Sequence, residues 1–86
     1  MYKKNNSVIV RKESEDVFTL YDSKTDTVFL VNDIGALIFK SVNDSSLEEV
    51  AKDVCNKTED DVKSSLDTIK NYLLLLVKKG LIFYEE

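Results

Sequence analysis

The 86-residue sequence has no histidine, proline or tryptophan, and it has one cysteine and two glycines. Without histidine, and with Cys55 as the lone thiol, it lacks the ligand sets of most zinc sites and the Cys–His or Ser–His pairs of nucleophilic enzymes. A single cysteine also excludes a disulfide within the chain. Gly35 and Gly80 stand alone, so no glycine-rich phosphate loop is present. We therefore predict a protein that is not an enzyme and has no metal site or cofactor.

Long hydrophobic runs are also missing. The longest, at residues 72–77, is far shorter than the roughly 18 residues that a membrane span requires. The N-terminal MYKKNN is not followed by the apolar segment of a signal peptide. With 16 acidic and 12 basic residues the net charge is −4, which gives no attraction for a phosphate backbone. These features predict a cytoplasmic protein that binds a protein or peptide, not nucleic acid or membrane.

What the sequence does contain is typical of one folded domain over residues 1–86. Hydrophobic residues make up 43% and charged residues 33% of the chain, a profile that favours a regular globular fold over disorder. Three segments rich in β-branched and aromatic residues, at 7–12, 17–21 and 27–31, are separated by short polar stretches. Their order predicts an antiparallel meander in which the third strand is an edge.

The third strand, TVFLV at 27–31, has apolar residues on both faces. It also has no lysine, proline or bulge of the kind that protects edge strands. Three interpretations remain open for it. The strand is buried on both faces, it pairs with a short C-terminal strand at 81–84 (LIFY), or its free edge receives another chain.

Three helices with apolar stripes follow the strands. The first begins at Asn32 or Asp33 and ends at a turn at 43–44. The second begins at Ser46, which has capping-box spacing to Glu49. The stripes, which predict the core, are Ile34, Leu37, Ile38 and Val42 in the first helix, Leu47, Val50, Ala51, Val54 and Cys55 in the second, and Val62, Leu66, Ile69, Leu73, Leu76 and Val77 in the third.

The third helix is predicted to begin with a capping box of Thr58 and Asp61 and to end before Gly80. In its last two turns Tyr72, Leu74 and Leu75 widen the apolar surface, so we expect contacts on more than one side. The predicted order is β, β, β, α, α, α, β.

The predicted fold class is α+β, with a three-stranded antiparallel sheet packed on a three-helix, winged-helix-like bundle and a short C-terminal strand. A winged-helix regulator is one alternative function, although acids at 59–61 would meet the phosphates if the third helix entered a DNA groove. A small subunit that forms a homodimer through residues 72–77 is another alternative.

Three stretches, FLVNDIGALIF, SLEEVAKDV and DDVKSSLDTIKNYLLLLVKKGLI, resemble the PqqD-like proteins, also called RiPP precursor peptide recognition elements. The resemblance extends from about Val8 to Tyr84. It implies a three-stranded sheet on three helices and a non-catalytic chaperone for the leader segment of a ribosomally synthesised precursor peptide. The leader would add as an antiparallel strand on the third strand, in a groove against the third helix.

The resemblance also implies which residues bind the leader. We expect the leader segment that pairs with the third strand to lie near the first two or three turns of the third helix. Both flanks of that helix are candidates for lining the groove. The implied partner enzyme is a radical SAM protein, a cyclodehydratase or a lasso-type protease and cyclase. The candidate peptide-binding residues are Thr27, Val28, Phe29, Leu30, Val31, Lys63, Ser65, Leu66, Ile69, Lys70 and Tyr72.

Overall fold

In a computed structural model, which describes all 86 residues, five strands and three helices form an α+β fold. They are β1 (Tyr2–Lys4), β2 (Val8–Lys12), β3 (Phe18–Asp22), β4 (Thr27–Val31), α1 (Asp33–Ser41), α2 (Leu47–Thr58), α3 (Val62–Lys78) and β5 (Ile82–Tyr84). Strands β2, β3 and β4 form an antiparallel meander with β3 in the middle. The predicted fold class and sheet are therefore confirmed. None of the three helices is both long and apolar enough to cross a bilayer.

Strand β1 was not predicted, so the expected element order is corrected by one strand at the N-terminus. It pairs antiparallel with β5 as a separate two-stranded sheet, with Tyr2 opposite Tyr84 and Lys4 opposite Ile82. The buried Tyr2 ring meets the Tyr84 ring edge-on, with centroids 4.9 Å apart. Because β5 pairs with β1 and not with β4, the C-terminal strand leaves the edge of the meander free.

The hydrophobic core lies between the inner face of the meander and the three helices. Leu20 of the central strand is fully buried in this core. Ile38, Val50 and Leu73, one from each helix, are fully buried as well. The stripes predicted for α1 and α2 are buried or half-buried. The α3 stripe is only partly correct because Val62, the first residue of that helix, is exposed.

Two of the three predicted helix starts are confirmed and one is wrong. The first helix begins after Asn32, whose side chain accepts from the Gly35 N–H at 2.8 Å. Ser46 and Glu49 form the predicted capping box, with the Ser46 N–H donating to Glu49 Oε1 at 2.9 Å. Thr58, however, is the last residue of α2, and its hydroxyl donates to the Val54 carbonyl at 3.2 Å. The cap of α3 is Asp61 alone, which accepts from the Ser64 N–H at 3.3 Å.

The start of α3 differs from the prediction because the backbone turns between α2 and α3. Glu59 adopts a left-handed conformation, with φ 61°, and ends α2. The turn after α1 lies at the predicted position, and Asp44 adopts left-handed geometry there, with φ 51°.

A buried carboxylate ties the two sheets together. Asp22, at the end of β3, is 7% exposed and accepts hydrogen bonds from Ser7 Oγ at 2.7 Å, the Lys24 backbone N–H at 3.0 Å and Asn5 Nδ2 at 3.3 Å. Asn5 Nδ2 also donates to the Gly80 carbonyl at 3.0 Å. The network therefore joins the loop after β1, the β3–β4 turn and the turn before β5.

Replacing Asp22 with asparagine should weaken acid sensitivity as well as stability. The Ser7 hydroxyl, helped by backbone amides of the β3–β4 turn, lowers the pKa of Asp22. The ionised Asp22 carboxylate therefore contributes fully to the free energy of unfolding above the unfolded pKa of about 3.9. This contribution is lost as the pH falls through the pKa of the folded state, which is lower. We expect Asp22→Asn to have a lower thermal midpoint at pH 7 and a flatter decline below about pH 4 than the wild type.

Thermal melts between pH 2 and 7 check this expectation, with Asp16→Asn as a control at an exposed turn position. An Asp22→Asn protein with the wild-type slope below pH 4 would contradict the assignment.

Candidate functional site

The free edge of β4 is the feature on which the site depends. This strand pairs with β3 only, with Phe29 opposite Leu20 and Val31 opposite Phe18. On the other side of β3, the Ser23 N–H donates to the Ser7 carbonyl at 2.9 Å. The Glu13 N–H likewise donates to the Val17 carbonyl at 2.9 Å. Odd-numbered residues of β3 therefore bond to β2.

The direction of the β4 backbone groups follows from this register. Hydrogen-bonding groups alternate between the two sides of an antiparallel strand. The even-numbered residues of β3 consequently bond to β4, where residues 27, 29 and 31 are their partners. Val28 and Leu30 direct their N–H and C=O groups away from β3, so four backbone groups lie unpaired along the free edge.

The side chains of β4 alternate as well. Phe29 and Val31 are half-buried and pack against the core. Val28 and Leu30 are 56% and 73% exposed on the opposite, outer face of the sheet. The strand is therefore not buried on both faces, and no element of the protein covers the second apolar face.

An apolar groove lies between this edge and the C-terminal half of α3. Its volume is 350 Å³, and eight of its nine lining residues are hydrophobic. The helix contributes Tyr72, Leu75, Leu76 and Lys79, whose spacing of three and four residues places them on one face. The complete lining is Val28, Phe29, Leu30, Val31, Tyr72, Leu75, Leu76, Lys79 and Leu81.

The two ends of the groove differ chemically. At one end the Lys79 ammonium lies 5.3 Å from the centroid of the Phe29 ring, within cation–π distance. At the other end the half-buried Tyr72 lies against the backbone of Gly35, in the first turn of α1. Burial raises the pKa of the Tyr72 phenol above its ordinary value, so this hydroxyl stays neutral at neutral pH.

A family model described as Coenzyme PQQ synthesis protein D (PqqD) matches residues 9–82, which include the whole groove. The chain belongs to the PqqD family. The resemblance found in the sequence is thus confirmed, and the match extends from β2 to the first residue of β5. No curated protein sequence matches the chain.

A solved structure is similar to this PqqD-family chain over nearly its whole length. It contains TbiB1 in complex with the TbiA(beta) leader peptide, and it superposes with a TM-score of 0.73 at 21% identity. The alignment covers 98% of this chain and 99% of that chain. At this level of identity the likeness shows that the two proteins share a fold.

The structure brings some of the sequence-predicted site residues of this PqqD-family protein together and separates others. Tyr72 and residues 28–31 line the same groove. Thr27 lines an adjoining polar pocket with Lys79. Ser65 and Ile69 instead line a pocket with α2, and Leu66 is half-buried against the core. Lys63 and Lys70 are exposed and do not line the groove.

Sequence reasoning missed Leu75, Leu76, Lys79 and Leu81 as groove residues and placed the groove near the first turns of α3. Those turns face α2, and the last turns lie beside β4. The wide apolar arc of Tyr72, Leu74 and Leu75 was the available signal. No group of three or more His, Cys, Asp or Glu side chains is arranged to hold a metal.

Gly35 sets the position of the Tyr72 ring. A methyl group at residue 35 would overlap the Tyr72 hydroxyl and would lie 2.6 Å from its Cζ atom. We expect Gly35→Ala to push the ring into the groove and to lower the thermal midpoint, although alanine is the better helix former by about 0.8–1.0 kcal/mol. In a Tyr72→Ala background the same change should be neutral or stabilising.

A double-mutant cycle by thermal denaturation measures the coupling between the two positions. An equal effect of Gly35→Ala in both backgrounds would show that the ring does not rest on Gly35.

Proposed function

We propose that this protein binds the leader segment of a ribosomally synthesised precursor peptide by strand addition to β4 and presents it to a separate modifying enzyme. The observation that carries the proposal is the unpaired edge at Val28 and Leu30, which lies directly beside an apolar groove. A peptide laid along the edge would satisfy the backbone groups and fill the groove at once. Membership of the PqqD family and the leader complex of TbiB1 support this function.

The magnitudes indicate that edge and groove act together. Four backbone hydrogen bonds at about 0.5–1.5 kcal/mol each contribute about 2–6 kcal/mol. Micromolar affinity needs about 8 kcal/mol after the losses in translational, rotational and side-chain freedom. Backbone pairing alone therefore falls short, and apolar side chains of the leader in the groove have to supply the difference.

The protein would contribute binding and not chemistry. Residues 1–86 would act as a single leader-binding domain in the cytoplasm, where precursor peptides are synthesised. The modifying enzyme, of the radical SAM, cyclodehydratase or lasso-type protease and cyclase class, would act on the core of the peptide held outside the groove.

Fluorescence polarisation with labelled synthetic peptides that cover the leader segment of a candidate precursor from the same genome tests the proposal. We expect saturable binding with a Kd of about 1–100 μM or tighter and slower hydrogen exchange at the Val28 and Leu30 amides in the complex. A peptide of the same composition in scrambled order is the control. Absence of saturable binding below about 100 μM would contradict the proposal.

Two other sequence-based possibilities lead to different measurements. Exposed acids at 59–61 precede α3, so entry of this helix into a DNA groove is disfavoured, and we expect no salt-dependent DNA binding. A homodimer through residues 72–77, of which Leu74 and Leu75 are exposed, stays a prediction. Analytical ultracentrifugation at micromolar concentration tests it.

A further inference from the structure

Lys79 marks one end of the groove with a positive charge that no carboxylate of the protein neutralises. None of the four ion pairs in the structure includes it. The polar pocket that continues the groove beyond Phe29 has a volume of 420 Å³ and is lined by Lys24, Lys79 and Thr27 among others. Asp22 also borders this pocket, but its carboxylate is buried and already accepts three hydrogen bonds.

The opposite end of the groove has no basic lining residue. Val31 is followed by Asn32 and by the exposed Asp33 in the first turn of α1. A strand bound along β4 would therefore pass, over five residues, from an end without lining lysines to an end lined by Lys79 and Lys24.

The register of an added strand determines which of its side chains meet these charges. An antiparallel strand hydrogen-bonded to Val28 and Leu30 places the residues opposite those two on the outer face. The residues opposite Val31, Phe29 and Thr27 point toward α3. They are positions i, i+2 and i+4 of the added peptide.

Each inward position meets different residues. Position i lies opposite Val31, at the Tyr72 end of the groove, and position i+2 lies opposite Phe29, whose ring has the Lys79 ammonium 5.3 Å from its centroid. Eight of the nine residues that line this part of the groove are hydrophobic. Position i+4 lies beside Thr27 where Lys79 and Lys24 line the polar pocket. An acidic side chain is complementary to the two lysines there, whereas at position i no lysine lines the groove.

We infer, on the basis of the proposed function, that the groove selects leader segments with the pattern apolar–x–apolar–x–acidic, and that Lys79 is the residue that determines specificity for the acid. The charge also fixes direction and register. A strand shifted by one residue would turn the apolar side chains away from α3.

A randomised 12-residue peptide library displayed on phage and panned against the full chain tests the inference. Among binders that slow hydrogen exchange at Val28 and Leu30, we expect Asp or Glu to be enriched two positions after an inward apolar residue. Replacing that acid with Gln in a soluble peptide should weaken binding to the wild type about three- to fivefold at low salt. The same replacement should not weaken binding to Lys79→Glu.

Lys78→Glu is the matched control because it makes the same charge change in the same helical turn outside the groove. Acid selection should survive in Lys78→Glu and reverse toward Lys or Arg in Lys79→Glu. A carboxylate near the C-terminal end of a helix is unfavourable, so Lys79→Gln provides a second variant without a reversed charge, in which the acid preference should fall to the part that Lys24 supplies.

The outcomes separate the inference from the function on which it rests. Peptides that protect Val28 and Leu30 but show no charge preference would overturn the role of Lys79 and leave strand addition intact. A library that yields no peptide protecting these amides would overturn both.

Discussion

Replacing Val28 with proline is expected to weaken leader binding about ten- to hundredfold while the protein stays folded. Proline removes the outward N–H of residue 28, and the leader carbonyl opposite it would be left buried without a partner, which costs about 1–3 kcal/mol. The β3–β4 ladder should survive because residue 28 directs its N–H away from β3. Proline is tolerated at such edge positions.

Two further variants separate backbone from side-chain effects. Val28→Ala keeps the N–H and removes only an exposed side chain, so we expect a much smaller loss of affinity. Phe29→Pro removes a donor to β3 and should disrupt the sheet itself. Fluorescence polarisation and circular dichroism report affinity and folding, and wild-type affinity in a folded Val28→Pro protein would rule out strand addition at this edge.

The sequence predicted β4 and its edge position because both depend on local patterns. Five consecutive residues without proline, glycine or charge are typical of a strand, and the order of three neighbouring strands leaves the last one outside. Whether the Phe29 side chain points toward the core, and which amides of β4 point outward, depend on pairing with β3. Neither feature can be predicted without the register, which is a property of two strands together.

The pairing of β1 with β5 lay outside sequence reasoning for a similar reason. Tyr2 and Tyr84 are neighbours only after the chain has folded, and a three-residue strand within MYKKNN shows no alternation of its own. Thr58 was misassigned because its spacing to Asp61 satisfies the capping pattern, while its hydroxyl actually bonds within α2. The capping motif is present in the sequence, but Thr58 belongs to the last turn of α2 and does not cap α3.

The sequence predicted that α3 has a second apolar surface, but not which turns of α3 line the groove. Periodicity showed that the end of α3 has more apolar surface than one core face requires. It did not show which turns approach β4, because this depends on how the helix packs across the sheet and on the contact between Tyr72 and Gly35. The missed residues Leu75, Leu76 and Lys79 belong to the turns that this packing brings to the edge.

Three successive leucines in α3 should give three different results when each is replaced with alanine. Leu73 is fully buried, Leu74 is 52% exposed, and Leu75 is 45% exposed within the groove. We expect Leu73→Ala to lose about 2–5 kcal/mol of unfolding free energy, since it leaves a cavity in the core. A domain of 86 residues has about 4–13 kcal/mol in total, so this variant should have a markedly lower thermal midpoint than the wild type.

Leu74→Ala and Leu75→Ala are matched controls for each other because they remove the same atoms from adjacent, similarly exposed positions. Both variants should have a free energy of unfolding within about 0.5 kcal/mol of the wild-type value. Only Leu75→Ala should lose leader affinity, by about three- to tenfold, as expected for a side chain that the bound peptide covers. Chemical denaturation and fluorescence polarisation on all three variants measure both quantities. If Leu74→Ala weakened binding as much as Leu75→Ala, the leader would lie on the other side of α3, and the groove beside β4 would not be its site.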